Sequence, residues 1–443
     1  MAELTKVVPG TYKAVASQLI GLTTDAYDLT VIVTMTAILS KVLFPPQTTP
    51  LVAAFAVVLS YTVTVIFRPL GAIIFGHLGD KIGRRYAMMI TIGGIGISGA
   101  AVGLLPTAAE VGILSYVLYL ILRMILGTFY GGEYASAFTY IIEWTPPKWR
   151  GLASGFAIGG YSIGLFIAGL IVGAVTNFLG EAAMIAYGWR YIFFGGLAPV
   201  IVALIIRFSL RESPIFEMLK SKGKVVVKAP FLMLFKKPVV FALAQAMVIM
   251  TGLQLLYSPT YYLATIVGSK PGIASAALAA FVLSINGGGQ LVGVLVYGQL
   301  SQIKGRRRVG MLWAGVGFIL AIPLLYMILQ AAIVLNVLLL LAISAAMGFL
   351  WEGPFGGLAA YLSERFPSNI RATGVGFGYT TGYFLGWYSF YIPAMHYFLF
   401  QGIDMPTNIW FSAAVMSMIG AIFMGIGYYI GPETAGKKIA EED

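Results

Sequence analysis
Long apolar stretches alternate along the chain with short polar turns, and twelve of them reach about 20 residues or more, enough to cross a hydrocarbon layer of about 30 Å as helices. They lie at 14–43, 51–76, 86–106, 111–142, 151–177, 190–210, 238–265, 272–300, 308–328, 332–363, 371–400 and 407–430. The polar turns themselves repeat. Gly76 to Arg85 (GHLGDKIGRR) is echoed 222 positions later by Gly298 to Arg307 (GQLSQIKGRR), and Glu143, Pro146, Arg150 and Gly155 recur at an offset of 221 as Glu364, Pro367, Arg371 and Gly376. Each set closes one apolar segment and opens the next, so the chain reads as two copies of one unit.

Composition makes the medium plain. Of 443 residues 59% are hydrophobic and 10% charged, with mean hydropathy +0.89, against about 25% charged in ordinary soluble proteins. The expected fold is an all-α membrane protein of twelve transmembrane helices in two pseudo-symmetric six-helix bundles. Residues 1–210 form the first bundle, 211–237 a linker, 238–431 the second bundle and 432–443 a short tail. Glycine, 54 residues in all, suits close helix contacts and bends in such a bundle.

The net charge of +11 is unevenly placed. Alternate loops carry Lys81, Arg84 and Arg85; Lys148 and Arg150; Lys220, Lys222, Lys224, Lys228, Lys236 and Lys237; Lys304, Arg306, Arg307 and Arg308; and Arg365 with Arg371, whereas the opposite loops hold Lys41, Arg190 and Lys270. By the positive-inside rule both termini and the middle loop are expected to be cytoplasmic, in a multi-pass protein of the cell membrane. Nucleic-acid binding would instead call for a basic stripe with stacking aromatics on one soluble face. The 211–237 loop, which opens with RESPIF and then turns Lys-rich, reads as a solvated linker whose cations fix topology and touch anionic lipid. No cysteine and only two histidines, His77 and His396, are present, so no metal centre or other cofactor is expected. No cleaved signal is expected either.

Chemistry should sit where ionisable side chains enter the apolar segments, since each costs about 2.5 kcal/mol or more at the bilayer centre unless paired or wetted. The first segment carries Asp25 and Asp28 in TTDAYDL, the fourth Arg123 and Glu133 in RMILGTFYGGEY, and the tenth Glu352 in WEGP; Arg68 in FRPLG reads as closer to the cytoplasmic end of the second. Asp25 and Asp28 share a helix face about 4.5 Å apart along the axis. Their mutual repulsion would let one of them exchange a proton. Arg123, read as the one cation deep in the membrane, would neutralise a solute carboxylate or hold Glu133. In the second half Gln254, Tyr257, Asn286, Gln290, Trp351, Tyr379, Tyr383 and Trp387 supply polar and aromatic groups. Tyr379, Tyr383 and Trp387 follow one helix face, and Asn286 with Gln290 is a pair suited to solute hydrogen bonds.

The repeated turn resembles the signature of the major facilitator superfamily, Gly-x-x-x-Asp-x-x-Gly-Arg-Arg/Lys, between its second and third helices. The resemblance implies two six-helix bundles that rock about a central site, with Asp80, Gly83, Arg84 and Arg85 as a cytoplasmic latch, and with Gly76, Glu143, Arg150, Gly298, Gly305, Arg306, Glu364 and Arg371 as its repeated parts. Gln302 replaces the acid in the second copy and should weaken that side. Within the superfamily, TTDAYDL with Arg123 and Glu133 resembles the phosphate:proton symporters. WEGPFGGLAAYLSERFPSNIRATGVGFGYTTG and RESPIF are similar to the metabolite:proton symporters, and PETAGKKIAEE to the sugar porters. The phosphate group's acid in the seventh segment and lysine in the eleventh are missing here.

The resulting expectation is a monomeric proton-coupled symporter of a small polar metabolite, an organic acid anion foremost, with a monosaccharide symporter and an uncoupled uniporter as alternatives. Asp25, Asp28 and Glu133 would handle the proton; Arg123, Tyr27, Gln254, Tyr257, Asn286, Gln290, Trp351, Tyr383 and Trp387 would line the solute site. An intramembrane protease, suggested distantly by Tyr27-Asp28 and Gly79-Asp80, would need both aspartates to share one water. Asp80 lies at a charged turn, so no enzyme is expected.

Overall fold
The computed structural model describes residues 6–225, 229–267, 276–400, 402–403 and 409–439. Among these every regular element is helical. The first half holds α1 (Pro9–Thr34), α2 (Pro50–Ile82), α3 (Arg84–Val102), α4 (Leu114–Glu143), α5 (Arg150–Ala183) and α6 (Leu197–Phe208). The second holds α7 (Val239–Tyr257, carried on by Pro259–Val267), α8 (Ala276–Lys304), α9 (Arg306–Ile333), α10 (Val337–Glu352), α11 (Arg371–Leu385, resumed at Tyr388–Met395) and α12 (Trp410–Ile430). Twelve segments in two six-helix bundles is the architecture expected from the apolar pattern.

Nine helical stretches among the described residues are apolar and long enough to span a bilayer, ten if the bent first pair counts. The difference from twelve is local. The helix Thr36–Leu43 turns away from α1 by 73°, and residues Pro147–Phe208, which contain both α5 and α6, run on as one 62-residue helical stretch. In α11 the helix stops at Leu385 and resumes at Tyr388. Helix starts follow ordinary chemistry: Pro9 and Pro50 open α1 and α2, where a missing N–H costs nothing. Gly83 and Gly305 end α2 and α8 with φ of 118° and 98°, a region open mainly to glycine. The two copies of the turn motif therefore stop their helices by the same device.

Packing repeats with the sequence. In the first half α1 lies on α5, α2 on α4 and α3 on α6; in the second α7 lies on α11, α8 on α10 and α9 on α12. The halves meet through two equivalent contacts, α2 with α11 and α5 with α8, beside which α11 also packs on α4 and α5 on the turn after α10. Without a hydrophobic drive between helices in lipid, such contacts rest on close van der Waals fit and on polar cross-links. Gly131 of α4 shows how close: a Cβ there would collide with the Arg68 carbonyl of α2, whereas one on Gly99 would meet nothing within 4 Å. Gly131→Leu should therefore abolish the monodisperse peak of detergent-solubilised protein in size-exclusion chromatography, while Gly99→Ala leaves it intact.

Candidate functional site
Three carboxylates predicted inside the membrane are present there, and each has its own arginine. Arg68 donates to both oxygens of Asp25 at 2.9 and 2.7 Å, Tyr134 Oη adds a bond to the same carboxylate at 2.5 Å, and Tyr61 takes a further N–H of Arg68 at 3.0 Å. Arg123 grips Asp28 through both terminal nitrogens at 2.7 and 2.5 Å, and its Nε donates to Thr64 at 3.0 Å. Glu133 is held by Arg207 and by the Thr91 hydroxyl at 2.8 Å; Arg207 in turn donates to Ser17 at 2.9 Å. All three arginines are fully buried.

These pairs correct three expectations. Asp25 and Asp28 are not left to repel each other, because each forms a bidentate ion pair with a different helix. Arg123 holds Asp28 rather than Glu133 or an open position. It is also not the one deep cation: Arg68 lies 14 residues from the end of α2, roughly 21 Å along the axis, and Arg207 closes the third pair. Glu133 points to α6, where Arg207 holds it.

Between the halves lies a cavity lined by Leu22 of α1, Tyr134 of α4, Ile158 and Tyr161 of α5, Gln254, Tyr257 and Tyr261 of α7 and its continuation, Glu352 and Phe355 of α10 and the turn after it, and Tyr379 and Tyr383 of α11. In this closed form it has room for one or two waters. Two polar atoms at its wall, Gln254 Nε2 and Tyr161 Oη, have no hydrogen-bond partner among the described residues. Away from the basic loops Trp387 covers it, donating across the halves to Thr62 at 2.9 Å with its ring 5.4 Å from that of Tyr61. Arg68 stacks on Tyr383 at 5.0 Å, so the Asp25 pair stands directly behind the cavity wall. A second cavity, inside the first half, is lined by Asp28, Thr24, Tyr27, Gly99, Tyr130 and Gly196 among others.

Of the other predicted residues, Gln254, Tyr257, Tyr379 and Tyr383 line the central cavity. Asn286 and Gln290 are spent on structure: Asn286 donates to the Ser344 carbonyl at 2.8 Å, and Gln290 donates to Asn286 and Tyr257 at 2.8 and 3.0 Å. Tyr27 donates to the Ile192 carbonyl at 2.8 Å, away from the central cavity. Trp351 is buried beside the cavity without lining it.

Residues 19–389 match the Major Facilitator Superfamily. The chain belongs to that family. Its relatives include the inner membrane metabolite transport protein YhjE of Escherichia coli K12, 29% identical over 84% of this chain and 85% of the relative. The glycine betaine/proline/ectoine/pipecolic acid transporter OusA of Dickeya dadantii is 27% identical over 96% and 84%. Among solved structures, the proton:xylose symporter XylE matches with a TM-score of 0.76 at 18% identity, over 97% and 98% of the two chains. That similarity speaks to the fold alone. As a major facilitator the chain is a multi-pass membrane transporter of small molecules and not an enzyme.

The facilitator's repeated turns form one cross-braced latch at the end bearing the basic loops. Asp80 accepts from the backbone N–H of Ala372 and Thr373 at 3.0 and 2.9 Å and from the Thr373 hydroxyl at 2.7 Å, so it caps α11 of the other half, where the helix dipole is positive. Gln302, at the equivalent place, accepts from the Gly151 N–H at 3.2 Å and from Arg306 at 2.7 Å. The second copy thus keeps the contact with one neutral backbone bond. Arg371 pairs with Glu143 across the halves at 2.9 Å, and Arg150 stands 4.0 Å from Glu364 in the mirrored position. Arg84 and Arg306 back these acids at 3.4 and 2.6 Å. Arg85 donates to the carbonyls of Arg207 and Phe208 within the first half.

The linker and tail are part of the latch, which the solvated-loop expectation missed. Glu212 accepts from the N–H groups of Arg84 and Arg85, and Ser213 bonds Glu143; Glu433 accepts from those of Arg306 and Arg307, and Thr434 bonds Glu364 at 2.7 Å. Burial pushes the Glu212 carboxyl above its ordinary range, with the backbone N–H donors opposing. The signal was present: RESP and PET stand at the same 221 offset as the other echoes. Arg207 and Tyr134 carried none, since only the packing of α6 and α4 reveals their partners.

Breaking Glu143–Arg371 should loosen the closed end. The chain has no native cysteine, so Ser154→Cys on buried α5 can report alone, and adding Glu143→Gln should raise its maleimide labelling several-fold. For the interior pairs, Arg207→Gln should destabilise the protein by about 3 kcal/mol or more, because it strands a buried carboxylate. Arg207→Leu with Glu133→Leu should cost less, as thermal unfolding in detergent would record.

Proposed function
We propose that this facilitator is a proton-coupled symporter of a small carboxylate-bearing metabolite, moved by alternating access between the two halves. The observation that carries this reading is the cavity at the junction of the halves, with its unpaired Gln254 and Tyr161 donors and its tyrosine faces. Buried donors without acceptors favour a ligand that brings oxygen atoms. Aromatic faces also attract an ammonium group, so a zwitterionic amino acid or betaine fits both features. Relatives such as the glycine betaine/proline/ectoine/pipecolic acid transporter of Dickeya dadantii point the same way.

The seat of the proton on this reading is the Asp28–Arg123 pair. Asp28 keeps about 10% of its side chain open, onto the second cavity rather than the first. A proton on Asp28 would release the Arg123 guanidinium, and a neutralised pair lowers the cost of reorganising the helices that hold it. Loss of the proton inside would reclose the pair. On this reading the basic end faces the cytoplasm, and the latch seals it while solute enters from the opposite side. A monosaccharide is the second reading, because amide and tyrosine groups also serve hydroxyl-rich solutes.

Protein reconstituted in liposomes with a trapped pH dye tests both. External proline or glycine betaine should acidify the interior, and xylose should not; acidification by xylose alone would favour the second reading, and solute entry without acidification would remove the proton. Asp28→Asn should abolish accumulation driven by a pH gradient while sparing solute exchange.

A further inference from the structure
Glu352 is the buried acid that the ion pairs leave out. It lies at the end of α10, where Gly353–Gly357 turn the chain as a 3-10 helix before Leu358–Ser363 resumes. Its side chain faces the central cavity and the residue is 4% exposed. Unlike Asp25, Asp28 and Glu133, it has no ion pair or hydrogen bond among the described residues.

Among the described residues, nothing lining the cavity supplies a counter-charge. The cavity's other polar groups are neutral: Tyr134 from α4, Tyr161 from α5, Gln254, Tyr257 and Tyr261 from α7 and its continuation, and Tyr379 and Tyr383 from α11. The helices packed directly on α10 add only neutral groups at this level, Asn286 and Gln290 from α8 and Trp313 from α9, each committed to another partner. Arg68, behind the wall, is reached through the Tyr383 ring and is already bound to both oxygens of Asp25.

A bare carboxylate in such a place is tolerable only while water solvates it. When the halves close over a solute, the solute displaces that water. We propose that Glu352 is a second protonation site, set in the solute cavity itself, which takes a solvent proton to form the neutral acid before the loaded cavity closes and releases it when water returns. The step forms one O–H bond on the carboxylate and needs no other reactant. It rests on the reading that the cavity carries solute, and it assigns to the second half a proton role that the arginine-paired acids of the first half do not fill.

Infrared pH-difference spectra of the purified protein test this without any ligand. The wild type should show the carbonyl stretch of a protonated carboxylic acid, lost as pH rises. Glu352→Gln should remove that band and Glu352→Asp should move it, whereas Asp28→Asn should leave it in place. A band that survives Glu352→Gln, or none in the wild type, overturns the proposal. In liposomes with proline as the probe, Glu352→Gln should flatten the pH dependence of the proline counterflow that remains. A large loss of counterflow with the pH dependence intact would mean that Glu352 binds the solute's ammonium end instead. Should the wild type fail to move proline, glycine betaine or xylose, the transport reading fails while the infrared result still decides Glu352.

Discussion
A charge carried into a bilayer has to bring its counter-charge with it, and this constraint organises the first half of the molecule. Three carboxylates there meet three arginines, each pair joining two different helices: Asp25 of α1 to Arg68 of α2, Asp28 of α1 to Arg123 of α4, Glu133 of α4 to Arg207 of α6. In lipid such pairs serve as the specific cross-links that apolar contact cannot provide. The desolvation they incur makes them poor sources of net stability and strong selectors of one helix arrangement. That is why the interior of α1, α2, α4 and α6 can be polar without being loose.

The latch applies the same constraint at the edge of the membrane, with the partners split between halves. Glu143 and Arg371 face each other across the junction, and Glu364 and Arg150 stand in the mirrored position. Asp80 adds a helix cap from one half to the other. Every one of these bonds spans the boundary between the halves or braces a residue that does, so the closed end is held by replaceable polar contacts around a small apolar cluster of Ile141, Ile142, Ala153, Ala157, Ile215, Ala360 and Ile439. Water can take their place on opening at modest cost, which a buried hydrophobic seam would not allow. The central cavity lies between this latch and the Trp387 contact to Thr62, so both ends are shut around it.

The contrast between the halves has a functional sense. The first half holds its charges in closed pairs, and the second half contributes tyrosines, amides and one unpaired acid to the cavity. Tyr134 and Tyr383 join the two, touching both the Asp25–Arg68 pair and the cavity.

Much of this was legible from residue order. Twelve apolar runs, the basic loops between alternate runs and the paired turn motifs determine the helical segments, the duplication and the latch, because hydrophobic length and helix-ending glycine are local properties. The depth of Asp25, Asp28, Arg123 and Glu133 followed from counting along helices. Who pairs with whom did not. Charge along one helix says nothing about the rotation of its neighbour, so Arg68 and Arg207 were missed as partners, Asn286 and Gln290 were assigned to solute though they bind helices, and Glu352 stood out only once every neighbour was seen to be neutral. The sequence alone determined which groups enter the membrane; tertiary packing decided which of them are neutralised there and which are left facing the cavity.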